Sequence, residues 1–276
     1  MLRLACILLS FLFPAAATAA DRVLSLGGSV TEIIYALGEE DRLIARDTTS
    51  SHPPAVEALP DVGYLRALSP EGVLSVAPDL VIAEADAGPP EAIAVLKAAS
   101  IPFVSVPEGY DRAAVAAKIA AVADALDVAD KGAVLAEEID TALAAAVASA
   151  EDGPKKRVMF ILSMQGGRIL ASGTNTAADG IIALAGGENA ISAYQGYKPL
   201  TDEAASQANP DVILMMERGG DHGAANADIF AHPGLSTTPA DAAEAVVRID
   251  GLLLLGFGPR TPEAVTRLST ALRAAE

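Results

Sequence analysis

Cysteine, tryptophan and basic residues are scarce in this sequence. Cys6 is the single cysteine, and tryptophan is absent. Because Cys6 lies in an N-terminal segment with the pattern of an export signal, we expect the mature chain to have neither a disulfide nor thiolate chemistry. Lys and Arg total 19 against 36 Asp and Glu, which gives a formal net charge of −17. This acidic excess argues against nucleic acid and anionic membranes as partners.

Long apolar runs are confined to the N-terminus. Arg3 precedes an apolar run from Leu4 to Phe13, and the small residues AAATAA follow. The pattern predicts a signal peptide, residues 1–20, whose apolar part is too short to remain as a membrane anchor. Cys6 also lacks the preceding Leu-x-small pattern of a lipidation site. We therefore expect a soluble chain exported to the periplasm, not membrane-anchored, and we expect it to be a monomer.

Catalytic motifs are also missing. The sequence has no Gly-x-Ser-x-Gly elbow and no Ser-His-Asp order. The histidines His52, His222 and His232 lack the spacing of a metal site, and we expect them at the surface or at the rim of a site. The turn GGS at 27–29 lacks the G-x-G-x-x-G pattern of a dinucleotide loop. We predict that the chain is not an enzyme, although fold class alone could not exclude one.

One supersecondary unit occurs twice. The stretch from Gly63 to Glu84 matches the stretch from Gly196 to Met216 in the order of its features. The matched pairs 132 positions apart (203 − 71) are Glu71 and Glu203, Pro78 and Pro210, and Asp79 and Asp211, while Gly63-Tyr64 meets Gly196-Tyr197 with one residue of slippage. Each copy predicts a loop, a helix with an N-cap Ser or Thr, and a buried strand. The repeat predicts two similar lobes, and a cleft between lobes is a common ligand site.

The order of predicted elements favours an α/β fold. Strands at Arg22–Leu26 and Ile101–Val106, with helices between them, imply a parallel sheet covered by helices. The alanine-rich segment from Asp111 to Ala150 predicts two helices, and the second would join the lobes rigidly. We expect a signal peptide (1–20), an N-terminal lobe (21–127), a linking helix (128–153) and a C-terminal lobe (154–276).

Two assignments in the C-terminal lobe depend on short apolar runs. The segment SMQGGRILASG, from 163 to 173, is predicted as a turn followed by an edge strand. The run from Leu252 to Leu255 has the length and apolar character of a strand, and it is predicted as one.

Four segments resemble a known family. They are SLGGSVTEIIYALG, RDTTSSHPPAVEALPDVGYLRALSPEGVLSVAPDLVI, MMERGGD and DGLLLLGFGPRTPEAV. They look like the haem-binding periplasmic proteins of bacterial haem-uptake ABC transporters, a helix-linked class that also contains cobalamin and siderophore binders. The resemblance covers nearly the whole mature chain. It implies two Rossmann-like lobes with parallel-rich sheets, joined by a long rigid helix, with a ligand cleft between the lobes.

The resemblance also implies which residues bind haem. It makes Tyr64, in the Gly-Tyr-x-Arg segment, the axial ligand of the haem iron. A phenol is a poor ligand at its reference pKa of about 10, but nearby arginines and a ferric ion favour the phenolate. Arg66 and Arg46 lie close to Tyr64 in sequence, and the resemblance places Arg218 across the cleft. The repeat places Tyr197 on the facing rim, where stacking on haem is expected rather than ligation.

One departure from the family concerns a second iron ligand. Some relatives have a histidine from the second lobe as this second ligand. At the corresponding place this chain has Ser163-Met164-Gln165-Gly166-Gly167. We expect Met164 to be a core or rim residue, and the number of haems and the coordination number stay open.

The resemblance further implies how the chain meets its transporter. In this class a glutamate in each lobe contacts the transmembrane subunits, and the matching residues are Glu71 and Glu203. The alternative role is compensation of a helix dipole, which contributes only about 0.3–1 kcal/mol each. We expect a protein that captures haem as cargo, not as a catalytic cofactor, and delivers it to an inner-membrane ABC transporter. The alternative is the same fold binding cobalamin or a ferric siderophore, without an iron bond from Tyr64.

Overall fold

The first sheet of the protein is parallel. The structure is a computed structural model, and it describes residues 20–153, 155–217 and 224–275. The strands of the first sheet are β1 (Val23–Leu26), β2 (Leu43–Arg46), β3 (Leu80–Ala83) and β4 (Phe103–Ser105). Their spatial order is β2-β1-β3-β4, with every pairing parallel. The helices of this lobe are α1 (Gly28–Ala36), α2 (Pro70–Ser75) and α3 (Pro90–Ala98), with 3-10 turns at Glu40–Arg42, Pro54–Ala58 and Leu65–Ala67.

Two helices follow where the alanine-rich pattern predicts them. They are α4 (Arg112–Ala125), capped by the Asp111 side chain, and α5 (Ala129–Glu151). With 23 residues, α5 is about 35 Å long. Gly132 lets α5 approach α4 closely, since a Cβ there would lie 2.3 Å from the Cβ of Ala123. This close packing fixes the linking helix against the helix before it.

The second sheet is mixed. Its strands are β5 (Arg157–Gln165), β6 (Arg168–Ser172), β7 (Glu188–Asn189), β8 (Tyr197–Leu200), β9 (Val212–Glu217) and β10 (Val246–Asp250). The spatial order is β10-β9-β5-β6-β8, with β7 also paired to β5. The pairings of β6 are antiparallel and the others are parallel. The helices of this lobe are α6 (Ala177–Leu184), α7 (Asp202–Ala208), α8 (Asn226–Phe230), α9 (Pro239–Ala242), α10 (Gly251–Leu255) and α11 (Thr261–Ala274).

Two assignments made from the sequence were wrong. The run Leu252–Leu255 is part of helix α10, because the side chain of Asp250 accepts a hydrogen bond from the backbone N–H of Leu253 at 2.8 Å and so starts a helix. Strand β6 is not an edge strand, since it lies between β5 and β8. Residues Tyr197–Leu200 form the edge instead.

The two lobes share one buried apolar cluster. Its members include Ile33 of α1, Ile119 of α4, Leu143 of α5, Phe160 of β5, Ile182 of α6 and Leu268 of α11. Smaller clusters lie on the remaining face of each sheet. Because the shared cluster joins both lobes through α4 and α5, a large rotation of one lobe would expose apolar surface.

The sequence repeat corresponds to a repeated backbone device. The carboxylate of Asp79 accepts the backbone N–H of Arg22 at 3.0 Å, and the Arg22 guanidinium donates to carbonyls after α2 at 2.7 and 2.8 Å. In the second lobe Asp211 accepts the backbone N–H of Arg157 at 2.7 Å, and the Arg157 guanidinium donates to a carbonyl at the end of α7 at 2.9 Å. Each Pro-Asp pair therefore ties the start of one strand to the start of its neighbour.

Candidate functional site

The loop before Tyr64 is held against strand β2. Asp61 forms a parallel bridge with Arg46, and the backbone N–H of Val62 donates to the Arg46 carbonyl at 2.9 Å. Two residues on, the N–H of Thr48 donates to the carbonyl of Gly63 at 3.0 Å. The backbone of residues 61–63 is thus fixed immediately before Tyr64.

The carboxylate of Asp61 organises the same loop. One oxygen accepts the N–H of Gly63 at 2.8 Å and the hydroxyl of Thr48 at 3.2 Å, and the other accepts from Arg46 Nη1 at 3.2 Å. Gly63 has a φ of +104°, which a residue with a side chain rarely adopts. Tyr64 follows with 44% of its surface exposed. The turn at Gly63 therefore presents the phenol outward.

Arg46 is engaged behind this loop. Besides Asp61, its guanidinium donates to the carbonyls of Val56 at 3.2 Å and Asp47 at 3.1 Å. Its side chain is only 13% exposed. The structure therefore places Arg46 in the support of the tyrosine loop and not beside the Tyr64 hydroxyl.

Arg66 contacts the Tyr64 phenol. Its Nη1 donates to the Tyr64 hydroxyl oxygen at 2.8 Å, and its Nη2 is ion-paired with Asp86. Burial alone would lower the pKa of the Arg66 guanidinium, but the hydrogen bond to Tyr64 and the negative charge of Asp86 raise that pKa above its ordinary value. The guanidinium therefore stays cationic beside the phenol oxygen.

A cavity between the lobes brings residues of both lobes together. From the N-terminal lobe it is lined by Arg66, Glu84 and Asp86, and from the C-terminal lobe by Tyr197 and Leu255. Glu84 directly follows strand β3, and Asp86 lies two residues further on. Ligands of open α/β sheets bind at the carboxyl ends of strands, which is where these side chains lie.

Tyr197 lines the same cavity as Arg66. Burial raises the pKa of the Tyr197 phenol, and hydrogen bonds with Thr176 and the backbone of Ala178 oppose that rise. The ring packs edge-on against Phe160 at 6.3 Å between centroids. The structure thus gives Tyr197 a ring that lines the cavity and packs against its own lobe.

A buried polar chain forms the floor of the cavity. Lys118 Nζ donates to the Ser29 hydroxyl and to the carbonyl of Gly256, both at 3.0 Å. The Ser29 hydroxyl in turn donates to Glu84 at 2.5 Å. Burial raises the pKa of the Glu84 carboxyl and lowers that of the Lys118 ammonium, and each is opposed by the charge of the other. The floor therefore joins α4 and α1 to the loop after α10.

The family model described as periplasmic binding protein matches residues 23–252. The chain belongs to this family. The two-lobed α/β fold predicted from the sequence is confirmed, and so is the prediction of a binding protein rather than an enzyme. Along the described ranges, no helix combines the length and apolar character needed to cross a bilayer.

Two of the similar solved structures are haem-binding proteins of the periplasm. The periplasmic haem-binding protein BhuT, in complex with two haems, is 45% identical, with 91% of this chain and 98% of that chain covered and a TM-score of 0.85. The periplasmic haem-binding protein RhuT from Roseiflexus sp. RS-1, in apo form, is 37% identical, with 93% and 99% covered and a TM-score of 0.88. The resemblance to the haem-binding proteins of this family is therefore confirmed.

One relative that is named for a different ligand matches only part of this chain. The vitamin B12-binding protein of Yersinia pestis (strain Pestoides F) is 36% identical over 113 residues, which is 41% of this chain and 40% of that protein. The match spans less than half of either protein, whereas the haem-binding proteins match over nearly their whole length.

Other predicted residues have the following places. Arg218 and His222 lie outside the described residues, as does the predicted signal peptide except for Ala20. Met164 is partly buried against the apolar cluster of the second sheet, as a core residue would be. His232 was expected at the surface or at the rim of a site, but it is buried with 5% exposure. Its Nδ1 accepts from the Gly234 N–H at 3.1 Å, so the Nε2–H donates to a carbonyl of the β5–β6 turn.

Glu71 and Glu203 lie in equivalent helix starts. Each is exposed in the first turn of its helix, α2 and α7, after an N-cap Ser69 or Thr201 that accepts a backbone N–H at 3.4 and 3.2 Å. Neither carboxylate forms an ion pair with any residue that the structure describes.

Several residues of the site were missed by sequence reasoning. Asp61, Asp86, Glu84 and Lys118 all contribute, although none was singled out. The position of Glu84 and Asp86 just after a buried strand was a usable signal, because strand ends of a parallel sheet face the cleft. Lys118 gave no such signal, since its partner Ser29 is 89 residues away.

Proposed function

We propose that this chain is a periplasmic substrate-binding protein that captures haem and delivers it to an inner-membrane ABC transporter. The observation that supports this most directly is the exposed Tyr64 phenol, which accepts a hydrogen bond from Arg66, a residue that lines the cavity between the two lobes. Haem-binding relatives that match nearly the whole chain support the same cargo.

The chemistry of the proposed site follows from Tyr64 and Arg66. Tyrosinate is an established ligand of haem iron. Arg66 places a cationic hydrogen-bond donor 2.8 Å from the phenol oxygen, the atom that would bind the iron. The ring of Tyr197 offers an apolar face in the same cavity. We assign Tyr64 as the iron ligand, Arg66 as its partner and Tyr197 as a stacking residue.

A visible spectrum of the purified protein with ferric haem tests this proposal. The mature apo-protein should bind haem and show the charge-transfer band of a ferric tyrosinate complex. Tyr64→Phe, which keeps the ring and removes the oxygen, should lose that band and bind haem at least tenfold more weakly, the effect of losing about 1.4 kcal/mol. Tyr35→Phe, on α1, is the matched control and should behave as wild type. An unchanged spectrum in Tyr64→Phe would exclude this tyrosine as ligand.

The second candidate cargo is cobalamin or a ferric siderophore. The partial match to a vitamin B12-binding protein favours keeping it. This alternative predicts saturable binding of cobalamin or a ferric siderophore that Tyr64→Phe leaves unchanged, and no tyrosinate band with haem. Competition of each ligand against haem on the same sample separates the two proposals.

We further propose that Arg218 acts from the C-terminal lobe on the bound tyrosinate or on a haem propionate. It directly follows β9, whose end faces the cleft by the same strand-end argument as β3. Losing a charge-assisted hydrogen bond should cost about 1.5–3 kcal/mol of binding free energy. Arg218→Ala with wild-type haem affinity at matched salt would refute this role.

The transporter contact is assigned to Glu71 and Glu203. A two-lobed protein that docks on a two-fold transporter needs one anchor in each lobe. These two carboxylates are exposed, form no ion pair within the described part of the chain, and occupy equivalent helix starts. Glu71→Arg combined with Glu203→Arg should leave haem binding intact and abolish stimulated ATP hydrolysis in reconstituted transporter. The matched control is Glu91→Arg, in the first turn of α3. If the double variant stimulated ATP hydrolysis normally, the two glutamates would only compensate the dipoles of their helices.

Export and oligomeric state belong to the same proposal. Residues 1–20 would be removed during export, and the mature chain would be a soluble monomer in the periplasm. The mass of the exported protein tests cleavage near Ala20, and light scattering on the purified protein tests the monomer. A retained N-terminus or a dimer mass would contradict these assignments.

A further inference from the structure

Asp86 holds the guanidinium that contacts the proposed iron ligand. Arg66 uses one terminal nitrogen for the Tyr64 hydroxyl and the other for Asp86. We propose that Asp86 is a positioning residue of the haem site, which orients Arg66 so that an N–H faces the Tyr64 oxygen. This inference rests on the proposed role of Tyr64.

The backbone brings Arg66 and Asp86 together independently of their side chains. The Gly88 N–H donates to the carbonyl of Leu65 at 3.0 Å, and the Leu68 N–H donates to the carbonyl of Gly88 at 2.9 Å. These bonds join the turn that contains Arg66 to the turn that contains Asp86. The ion pair therefore connects two segments already fixed against each other, as expected of a built arrangement.

Arg66 needs such a partner because it is half in solvent. Its side chain is 55% exposed, and a free arginine of this exposure would sample many rotamers. The planar guanidinium can donate to a carboxylate from one terminal nitrogen and to a phenol from the other. Glu108 lines the same cavity, but its carboxylate accepts the Tyr110 hydroxyl. Asp86 is therefore the carboxylate that orients the Arg66 guanidinium.

Two substitutions at Asp86 separate position from charge. Asp86→Ala removes the acceptor and should weaken ferric-haem affinity about tenfold, with a shift of the tyrosinate charge-transfer band. Asp86→Asn keeps an acceptor oxygen without the charge, and should stay within about threefold of wild type with an unshifted band. The matched control is Asp140→Ala, which breaks a similarly exposed arginine–aspartate pair with Arg112, away from the cleft. It should change neither affinity nor band.

The apo-protein gives a second measurement that does not need haem. In ¹⁵N-labelled protein, the side-chain N–H signals of Arg66, assigned with Arg66→Lys, should be resolved in wild type and Asp86→Asn and averaged in Asp86→Ala. Wild-type affinity and band in Asp86→Ala, or an equally large loss in Asp86→Asn, would overturn the proposal. If haem gives no tyrosinate band with wild type, the proposed function fails, while the Arg66 signals still report whether Asp86 orients the guanidinium.

Discussion

The buried lysine beneath the cavity gives a sharp test of how the lobes are joined. Lys118 is 7% exposed and donates to Ser29 in one lobe and to the carbonyl of Gly256 in the other. Lys118→Met keeps the apolar stem and removes the ammonium. The substitution leaves a carbonyl and a hydroxyl without their donor, and it leaves Glu84 without its nearby positive charge.

The expected loss of stability can be worked from these contacts. Two hydrogen bonds from a charged group contribute about 1.5–3 kcal/mol each, or about 3–6 kcal/mol together. Removing one partner of a buried charge pair costs about 3–5 kcal/mol. We therefore expect Lys118→Met to lower the free energy of unfolding by about 3–5 kcal/mol at pH 7.5. Adding Glu84→Gln should recover at least about 2 kcal/mol, because the remaining buried charge is then removed.

The penalty should depend on pH with a defined sign. Burial raises the pKa of Glu84 in the folded protein, and Lys118 opposes that rise. Without Lys118, the folded-state pKa of Glu84 lies still higher above its unfolded value. A raised carboxyl pKa contributes stability below the unfolded pKa, near 4.3, and that contribution is lost as the pH rises through the folded pKa. The destabilisation by Lys118→Met should therefore be smaller at pH 5 than at pH 7.5.

Urea denaturation of the apo-protein at both pH values measures these quantities. The matched control is Lys131→Met, because Lys131 is 54% exposed and pairs with Glu39 at the surface. That control should cost less than about 1 kcal/mol. The reasoning is refuted if Lys118→Met costs no more than Lys131→Met, or if the effects of Lys118→Met and Glu84→Gln simply add.

Three further predictions concern the support of the site. Arg46→Ala removes the guanidinium behind the tyrosine loop and its three hydrogen bonds, and urea denaturation should show a loss of at least about 1.5–3 kcal/mol, the contribution of one such bond. Asp61→Ala frees the Gly63 amide and should weaken ferric-haem affinity about tenfold in a titration, while Asp61→Asn, which keeps an acceptor, should recover most of it. Burial raises the pKa of Glu32 despite its bond with Arg260, so the contribution of Glu32 to stability falls as the pH rises. Between pH 4.5 and pH 7.5 the urea midpoint of wild type should therefore fall relative to that of Glu32→Gln.

Local signals were sufficient for most of the fold. The N-caps Ser69 and Thr201 and the buried strands that follow the Pro-Asp pairs were all predictable, because each depends on residues close in sequence. The run Leu252–Leu255 was not, since four apolar residues fit a strand or a buried helix equally well. Asp250, two residues before it, was the cap signal that decides for the helix.

The directions of the arginines could not be predicted from the sequence. Arg46 and Arg66 both lie near Tyr64 along the chain, yet they have different partners. Residues 60–63 pair with β2, and this pairing turns Arg46 toward Asp61 and away from the phenol. Arg66 follows the turn at Gly63, and its guanidinium pairs with Asp86, 20 residues further along the chain. Only the tertiary pairing of separate segments settles such directions.

The repeat is asymmetric at its tyrosines, and the asymmetry bears on which residue can hold iron. The segment after Tyr64 is a 3-10 turn that presents Arg66 to the phenol oxygen. Tyr197 instead begins strand β8, where it pairs with Ser172, and its ring packs edge-on against Phe160. A flat ligand between the lobes would therefore meet a phenol oxygen beside a guanidinium on one side and an aromatic ring on the other. This difference supports a single tyrosine ligand, supplied by the N-terminal lobe.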